Sequence, residues 1–221
     1  MHTEACIFDL DGVIVDTAKY HYLAWKRLAD KLEIRFTETD NERLKGVSRM
    51  DSLEIILRLG EKQLGKGIKQ KYATLKNAWY IDYINRMTPE EILPGSLEFI
   101  KELKSAGIKV VIGSASKNTP LILEKVGLLK VFDAVADGNT VEKTKPDPEV
   151  FIKAAELVNV DPAGCVVFED AVAGIQAALN AGMKCIGVGS PGILKEAHYV
   201  IKGLHEMNLE KLKTIEKEFL K

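Results

Sequence analysis

The sequence predicts an α/β fold with a Rossmann-like parallel sheet core and an inserted α-helical cap domain. Beyond residue 95, short apolar runs alternate with helical patterns at close intervals. This alternation is typical of βαβ units in a parallel sheet that is covered by helices on both faces. The first apolar run, Ala5–Phe8, is followed instead by a long stretch with helical patterns only. Because that strand needs a sheet to join, we expect the helical stretch to be inserted after it.

The core begins with Ala5–Phe8, an apolar run that ends abruptly in Asp9-Leu10-Asp11-Gly12 and therefore predicts a buried strand. Later apolar runs predict further strands at Val110–Ile112, Phe132–Ala136, Cys165–Phe168 and Cys185–Val188. Helices are expected in between and after them, namely one ending at Gly107, one capped by Thr119 with Pro120 at its first position and ending at Gly127, one from Pro148, and two at Ala173–Ala181 and Leu209–Leu220.

The inserted stretch predicts three helices and no strand. They span Thr17–Phe36, Ser48–Gly60 and Ile68–Arg86, the last broken by Thr88-Pro89. Ser48 is the expected N-cap of the second helix, with Asp51 as its capping-box partner and Gly60 as its C′ glycine. The predicted domains are a discontinuous α/β core of residues 1–15 and 89–221 and a helical cap of residues 16–88, with linkers near Asp16 and Pro89.

Composition indicates a soluble globular protein. Hydrophobic residues make up 46% and charged residues 29% of the 221 residues, which excludes a disordered chain. The 31 Lys and Arg residues nearly balance the 32 Asp and Glu residues, for a net charge of −1. Nothing in that balance attracts nucleic acid or an anionic membrane, and neither a membrane-length apolar stretch nor a leader is evident.

The three cysteines and the lack of a leader pattern indicate the cellular compartment. Cys6, Cys165 and Cys185 each lie in a short apolar run, which is typical of buried thiols in a reducing environment. We therefore expect a cytoplasmic protein with no nucleic-acid or membrane partner. A monomer is the default expectation, since two closing domains need no partner chain.

Polar residues follow four of the predicted strands at their carboxyl ends, where open α/β sheets bind ligands. They are, in chain order, Asp9 and Asp11, then Ser114, Ala115 and Ser116, then Lys145, and finally Glu169 and Asp170. Carboxylates suit Mg²⁺, which takes few of them and keeps positions for water and phosphate. Hydroxyl groups, helix N-termini and a lysine suit the oxygens of a phosphoryl group. These loops therefore predict a site for a metal ion and a phosphate.

A carboxylate is the nucleophile that this set of residues favours. Asp is ionised at neutral pH, and aspartyl-phosphate is an established covalent intermediate. We expect Asp9 to attack and Asp11, two residues away across a tight turn, to transfer the proton. A calcium loop is disfavoured because its glycine should be sixth, whereas Gly12 is fourth. A turn of solvated carboxylates stays open as the non-catalytic alternative.

These motifs resemble those of the haloacid dehalogenase superfamily of phosphotransferases, in the right order and over essentially the whole chain. The matching runs are Phe8-Asp9-Leu10-Asp11-Gly12-Val13, Ser114-Ala115-Ser116, Lys145-Pro146-Asp147 and Glu169-Asp170. The resemblance implies that Asp9 is the nucleophile and Asp11 the acid/base. It implies one Mg²⁺, held by the Asp9 side chain, the Asp11 carbonyl, Glu169 and Asp170. It also implies that Ser114, with Ala115 beside it, and Lys145 hold the transferring phosphoryl group.

The inserted stretch resembles the β-phosphoglucomutase family within this superfamily. The matching residues are Asp16, Thr17, His21, Trp25, Lys45, Gly46, Val47, Ser48, Arg49, Ser52 and Lys76, together with Ser114–Asn118 of the core. The resemblance implies that Thr17 and His21 lie near the hinge and the acid/base. It places Arg49, with Ser116, Lys117 and Asn118, on the distal phosphate of the substrate. It implies that Lys76 faces the site.

The same residues also have plain structural explanations. His21 and Trp25 share a helix face with two leucines, a stripe that is typical of core packing. Lys45 and Arg49 flank a glycine turn, and most such pairs are solvated surface charge. Lys76 lies on a charged helix, where a surface lysine is the default.

The activity implied by the resemblance is the interconversion of β-D-glucose 1-phosphate and glucose 6-phosphate. It would proceed through an aspartyl-phosphate and β-glucose 1,6-bisphosphate, with a small-molecule sugar phosphate as the only partner. One alternative is a Mg²⁺-dependent sugar-phosphate or phosphoglycolate-type phosphatase with the same core. Another is a non-catalytic sugar-phosphate sensor, which would be expected to lack Asp9 or Asp11, although both are present.

Overall fold

The computed structural model describes residues 3–219 and contains one six-stranded parallel sheet in this part of the chain. The strands are β1 Ala5–Phe8, β2 Lys109–Gly113, β3 Ala134–Ala136, β4 Cys165–Glu169, β5 Lys184–Val188 and β6 Tyr199–Ile201. The helices are α1 Ala18–Lys31, α2 Glu38–Glu42, α3 Arg49–Leu59, α4 Lys66–Ile84, α5 Ser96–Ser105, α6 Thr119–Lys125, α7 Glu149–Leu157, α8 Val172–Asn180 and α9 Leu209–Glu218. The predicted α/β fold is confirmed.

The strand order is β3-β2-β1-β4-β5-β6, so β1 lies in the middle of the sheet between β2 and β4. Every residue of β1 is buried because helices cover both faces, which explains its continuous apolar run. Phe8 stacks on Phe168 of β4 at 4.8 Å between ring centroids on one face. Ile7 packs with Val111 and Phe151 on the other face. The position of β1 brings the residues that follow it to the centre of the carboxyl-end edge.

Helices α1–α4 follow β1 and pack around an apolar cluster of their own. That cluster contains Trp25, Leu28, Leu53, Ile56 and Ala73. No strand occurs among residues 17–88, as the sequence predicts. The two connections to the rest of the chain run side by side. The amide of Asp16 donates to the carbonyl oxygen of Glu91, and the amide of Leu93 donates to the carbonyl oxygen of Ile14, each at 2.9 Å.

Several element boundaries differ from the sequence predictions. The first helix ends at Lys31 rather than Phe36, because Glu33 takes a left-handed φ of 56° and the chain then runs without helix until α2. Asn118, not Thr119, occupies the N-cap position of α6. Gly60 is the C-cap of α3 with a φ of −95°, so the left-handed residue is Glu61. The short elements α2 and β6 were not predicted.

The remaining predictions agree within a few residues. Ser48 caps α3 and accepts the amide of Asp51 at 3.2 Å, while Asp51 accepts the Ser48 hydroxyl rather than its amide. The strand predicted from Phe132 begins at Ala134. The last helix ends at Glu218, and Leu220 lies outside the described residues. Among residues 3–219, every helix is too short or too polar to cross a bilayer.

Candidate active site

A cavity of about 410 Å³ lies between helices α1–α4 and the carboxyl-end edge of the sheet. Its walls include every site residue that the sequence predicts except one, Glu169. Glu169 is fully buried behind the wall, at the end of β4. The fold thus brings residues that are far apart in the sequence to one enclosed space. The alternative of a solvated turn at Asp9 is wrong, because that side chain is 9% exposed.

Lys145 organises the innermost corner of the cavity. Its Nζ atom lies 2.5 Å from Oδ1 of Asp9, 2.8 Å from Oε2 of Glu169 and 3.1 Å from the carbonyl oxygen of Gly113. Burial alone would lower the pKa of Lys145, but the charges of Asp9 and Glu169 raise it above its ordinary value. The lysine therefore stays charged and holds the two carboxylates side by side.

Three carboxylates at this corner can hold a cation. One oxygen from each of Asp9, Glu169 and Asp170 lies within 4.8 Å of the others. Burial raises the pKa of Glu169 to about 8 against the opposing charge of Lys145. Burial and the charge of Asp9 raise the pKa of Asp170 to about 7. This is buried negative charge that one lysine does not fully compensate, and a hard oxygen donor set fits Mg²⁺.

Two glycines leave room for these carboxylates. A Cβ on Gly12, whose φ is +84°, would overlap the Asp170 carboxylate. A Cβ on Gly174, in the first turn of α8, would overlap the carboxyl carbon of Glu169. Gly12 follows Asp11 directly and belongs to the motif, whereas Gly174 carries no local signal of its role. Both glycines thus shape the acidic corner, the group of carboxylates from Asp9, Glu169 and Asp170, without contributing a side chain to it.

Asp11 lies at the edge of this corner and accepts a hydrogen bond from the hydroxyl of Thr17. Burial, followed by the charge of Asp9, raises the pKa of Asp11 to about 6, although Thr17 and Lys145 oppose the shift. A carboxyl group with such a pKa exchanges its proton near neutral pH, which an acid/base requires. Thr17 is fully buried at the start of α1, so the contact joins the loop after β1 to the first helix.

The loop after β2 forms a second wall of the cavity. Ser114 is buried, and its Oγ accepts the amide of Ser116 at 3.1 Å. The Oγ of Ser116 in turn accepts the amide of Asn118 at 3.2 Å. These side-chain bonds fold residues 114–118 into a tight loop with Lys117 on the cavity. The Nδ2 of Asn118 donates to Oδ1 of Asn77 on α4 at 3.1 Å, which ties the loop to the helices.

The start of α3 and the turn before it close the cavity from the other side. Lys45 forms an ion pair with Asp170 at 3.4 Å and one with Glu42 at 2.9 Å. Gly46, with a φ of +69°, lies against Ala171, to which an added Cβ would approach to 3.1 Å. Lys45 is thus a partner of the acidic corner rather than a solvated surface charge. Arg49 and Ser52 lie on α3 and line the same side.

Helices α1 and α4 form the last wall. The Nζ of Lys76 lies 3.1 Å from Nδ1 of His21 and 4.5 Å from the ring centroid of Trp25. Lys76 is 2% exposed, so the expectation of a surface lysine is wrong. Trp25 belongs both to the cavity wall and to the apolar cluster of α1–α4, so the core-packing explanation of that stripe holds in part.

Sequence reasoning missed several polar residues of the cavity. They include Asn41, Gln70, Asn77, Glu142 and Lys143. The carboxylate of Glu149 accepts the amides of Glu142 at 3.2 Å and Lys143 at 2.7 Å, which orders the loop just before Lys145. A polar run next to the Lys145 motif was a usable signal for that loop. Asn77 had none, because its place depends on which face of α4 meets the sheet domain.

Comparisons with known proteins agree with this geometry. The family model of haloacid dehalogenase-like hydrolases matches residues 3–182. The chain is 44% identical to the β-phosphoglucomutase of Bacillus subtilis (strain 168), over 95% of this chain and 93% of that protein. It is 31% identical to a phosphorylated carbohydrates phosphatase of Thermotoga maritima, over 83% of each.

A solved structure shows the same likeness in three dimensions. The crystal structure of a β-phosphoglucomutase from Clostridium difficile superposes with a TM-score of 0.94 at 41% identity, and the match covers 99% of both chains. The chain belongs to the haloacid dehalogenase-like hydrolase family and, within it, to the β-phosphoglucomutase family.

Proposed function

We propose that the protein is a phosphomutase, an isomerase that interconverts β-D-glucose 1-phosphate and glucose 6-phosphate. The observation that carries the proposal is the distribution of cations around one cavity. Lys145 lies beside Asp9 at one end, while Arg49 and Lys117 line other walls. A sugar bisphosphate has two anionic ends that must be bound at once, and a cavity of about 410 Å³ is of ligand size.

Asp9 is the nucleophile in this proposal. Its Oδ1 is bound by Lys145, which leaves Oδ2 to attack phosphorus and form the aspartyl-phosphate. Lys145, which contacts Asp9, would bind the oxygens of the transferring group, and Ser114 and Ala115 line the same cavity. Positioning and charge compensation are the main contributions to phosphoryl transfer.

Asp11 is the acid/base. It gives its proton to the sugar oxygen that leaves phosphorus and takes the proton from the sugar hydroxyl that attacks the aspartyl-phosphate. Its pKa of about 6 lets it serve in both directions. The intermediate is β-glucose 1,6-bisphosphate, which must turn round in the cavity between the two transfers. Arg49, with Ser116, Lys117 and Asn118, would hold whichever phosphate is not reacting.

The acidic corner fits one Mg²⁺ per site. Asp9, Glu169 and Asp170, together with the Asp11 carbonyl, would hold it, and it would supply positive charge that neutralises the oxygens of the transferring group. The pKa values of Glu169 and Asp170 are also raised, as expected of buried carboxylates whose charge a cation would neutralise.

Residues 16–88 would act as the cap over this core. Two contacts favour a closed arrangement, the Asn118–Asn77 hydrogen bond and the Lys45–Asp170 ion pair, since each joins a residue before position 88 to one after it. Closure would exclude water, which competes with the sugar hydroxyl for the aspartyl-phosphate. His21, Trp25, Gly46, Ser52 and Lys76 would line the sugar-binding space. We keep a cytoplasmic monomer as the expected form, in keeping with three free buried cysteines.

The test is incubation of the purified protein with β-glucose 1-phosphate, Mg²⁺ and a trace of β-glucose 1,6-bisphosphate. Glucose 6-phosphate should form without an equivalent of free phosphate, and α-glucose 1-phosphate should serve as the unreactive control. Stoichiometric release of phosphate would instead favour the phosphatase alternative, the activity named for the Thermotoga maritima relative.

A further inference from the structure

Asp137 is a buried carboxylate at the carboxyl-end edge of the sheet that the proposed mechanism does not use. It directly follows β3 and is 3% exposed. Strand β3 pairs with β2, so the loops that follow these two strands run side by side. The amide of Gly138 donates to the carbonyl oxygen of Ser116 at 3.3 Å. The loop after β3 therefore lies against residues 114–118, which form one wall of the cavity.

The side-chain amide of Asn139 joins the two loops. Its Nδ2 atom donates to the carbonyl oxygen of Lys117 at 3.0 Å and to Oδ2 of Asp137 at 3.1 Å. Both hydrogens of the amide nitrogen are therefore used. Because both neighbouring atoms only accept hydrogen bonds, an exchange of the amide nitrogen with the amide oxygen would lose both contacts. The orientation of this side chain is thus fixed by its partners.

The carboxylate of Asp137 holds Asn139 at two points. Its Oδ1 accepts the backbone amide of Asn139 at 2.8 Å, while its Oδ2 accepts the side chain. Among residues 3–219, Asn139 is the only residue that donates to this buried carboxylate. Thr140 completes the turn, since its Oγ1 accepts the amide of Asp137 and donates to the carbonyl oxygen of Asp137, each at 2.8 Å. Residues 137–140 thus form a turn ordered by its own bonds, which can support the neighbouring loop.

We infer that Asn139, held by Asp137, is a positioning residue that fixes the main chain of Lys117 and thereby the cation that binds the non-reacting phosphate. The inference rests on the proposed function, in which Lys117 is one of the groups on that phosphate. Asn139 does not line the cavity and acts only through Lys117. Asn77 ties the same loop to helix α4 through Asn118, whereas Asn139 ties it to the sheet domain. The support from Asn139 therefore does not depend on where helices α1–α4 lie.

Asn139→Ala tests the inference, because it removes the donor to Lys117 at an exposed position. When β-glucose 1-phosphate attacks the aspartyl-phosphate with its 6-hydroxyl, its own phosphate is the non-reacting one. KM for this substrate should therefore rise about 3–10-fold, the effect of one hydrogen bond, while kcat changes less than about twofold. An unchanged KM would overturn the inference.

Phosphorylation by acetyl phosphate separates positioning from a general disturbance of the site. This acyl phosphate transfers its phosphoryl group to the Asp9 carboxylate, releases acetate and carries no second phosphate. Its rate in Asn139→Ala, followed by intact mass, should equal that of the wild type, and an equal loss with both substrates would overturn the inference. Asn208→Ala is the matched control. It removes an exposed asparagine that caps α9 by accepting the amide of Lys211, so it should leave KM unchanged.

A double-mutant cycle asks whether Asp137 acts through Asn139. Asp137→Asn leaves one acceptor oxygen in place of two, so KM should rise as it does in Asn139→Ala. The double variant should show no further rise, whereas rises that multiply would overturn this step.

A binding measurement keeps the inference separate from the proposed function. In the Asp9→Asn background, which should not turn over, Asn139→Ala should raise the calorimetric Kd of β-glucose 1,6-bisphosphate about 3–10-fold. An unchanged Kd would overturn the inference. The proposed function fails instead if the wild-type protein releases phosphate and forms no glucose 6-phosphate, so the two failures are distinguishable.

Discussion

The ammonium nitrogen of Lys76 lies 3.1 Å from Nδ1 of His21, and neither side chain forms an ion pair with a carboxylate in the described part of the chain. Aromatic faces of Trp25 and Tyr80 flank the ammonium at 4.5 and 4.7 Å. Burial, and then the neighbouring cations, lower the pKa of both His21 and Lys76. A cation without a counter-ion in a cavity is suited to an anionic ligand and is unfavourable in its absence.

Replacing Lys76 should therefore lower the activity of the protein and raise its stability. Lys76→Met should raise the free energy of unfolding by about 1–2 kcal/mol, because an apolar side chain of similar length replaces an uncompensated buried amine. It should lower kcat/KM for the sugar phosphate by about tenfold or more. Chemical denaturation and steady-state kinetics measure the two effects. Lys71→Met, at an exposed position of the same helix, is the control and should change neither by much.

The stability gain should shrink as the pH rises. The pKa of Lys76 is lower in the folded protein than the ~10.4 of an unfolded chain, so the unfolded state binds more protons. Its contribution to stability is complete above the unfolded pKa and is lost as the pH falls. The difference between Lys76→Met and the wild type should thus be larger at pH 7 than at pH 9.5. A pH-independent difference would contradict a buried, depressed amine.

The carboxylates of the acidic corner should make the free energy of unfolding fall as the pH rises, which is opposite to the effect of Lys76. Mg²⁺ should remove this dependence. The pKa values of Glu169, Asp170 and Asp11 are about 8, 7 and 6 in the folded protein and about 4 when unfolded. The folded state then binds more protons than the unfolded state. The contribution of these three groups to the free energy of unfolding is therefore complete below pH 4 and declines towards pH 8. Without divalent cations, the free energy of unfolding should fall between pH 5.5 and 8 by several kcal/mol, at most about 6 kcal/mol for the three groups together.

Mg²⁺ should flatten that profile and raise the thermal midpoint most at pH 8, where the carboxylates are ionised. Glu169→Gln provides the matched variant, since it removes one charge and one metal ligand at the same position. It should show a shallower pH profile and a weaker response to Mg²⁺. The same slope with and without Mg²⁺ would exclude these carboxylates as the metal site.

Most of the sheet and the acidic corner could be predicted from the sequence, because buried parallel strands are continuous apolar runs and deliver their next residues to one edge. Asp9 directly follows β1, Glu169 is the last residue of β4 and Lys145 lies in the loop after β3, and the structure brings Lys145 into contact with both carboxylates. Tyr80 and Asn77 could not be predicted, since their roles depend on how α4 packs against the rest of the chain. The three-residue strand β6 lies between His198 and Lys202, so no longer apolar run marks it, whereas β3 is equally short but follows Val131 and Phe132.

A substitution at Gly174 tests the proposed metal site without replacing any residue that would hold the ion. A methyl group at this position would overlap the Glu169 carboxylate, which must then move away from Lys145. Gly174→Ala should weaken Mg²⁺ binding about 10–100-fold, the usual effect of disturbing the support of a metal ligand. Gly67→Ala is the control, because its Cβ meets open space in α4. It should stabilise the protein by up to about 1 kcal/mol and leave Mg²⁺ binding unchanged.

Asn77→Ala tests the bond between α4 and the loop after β2. The variant loses the acceptor of the Asn118 side chain, so residues 114–118 lose their tie to the helices. KM for the sugar phosphate should rise about 3–10-fold, in keeping with one hydrogen bond, while kcat changes less. Asn85→Ala, at the exposed C-terminal end of the same helix, should behave as the wild type. A fall in kcat at constant KM would show that the bond does not serve ligand binding.

Asp9→Asn tests the nucleophile. An amide oxygen can still accept the Lys145 ammonium, so we expect the fold and the thermal midpoint to be retained. The amide cannot attack phosphorus, and turnover should fall at least about 10³-fold with no phosphorylated protein detectable by intact mass. Asp161→Asn is the control, because Asp161 precedes β4 at the opposite edge of the sheet and its Oδ1 accepts only the amide of Ala163. Phosphorylated protein recovered from Asp9→Asn would mean that another residue carries the phosphoryl group.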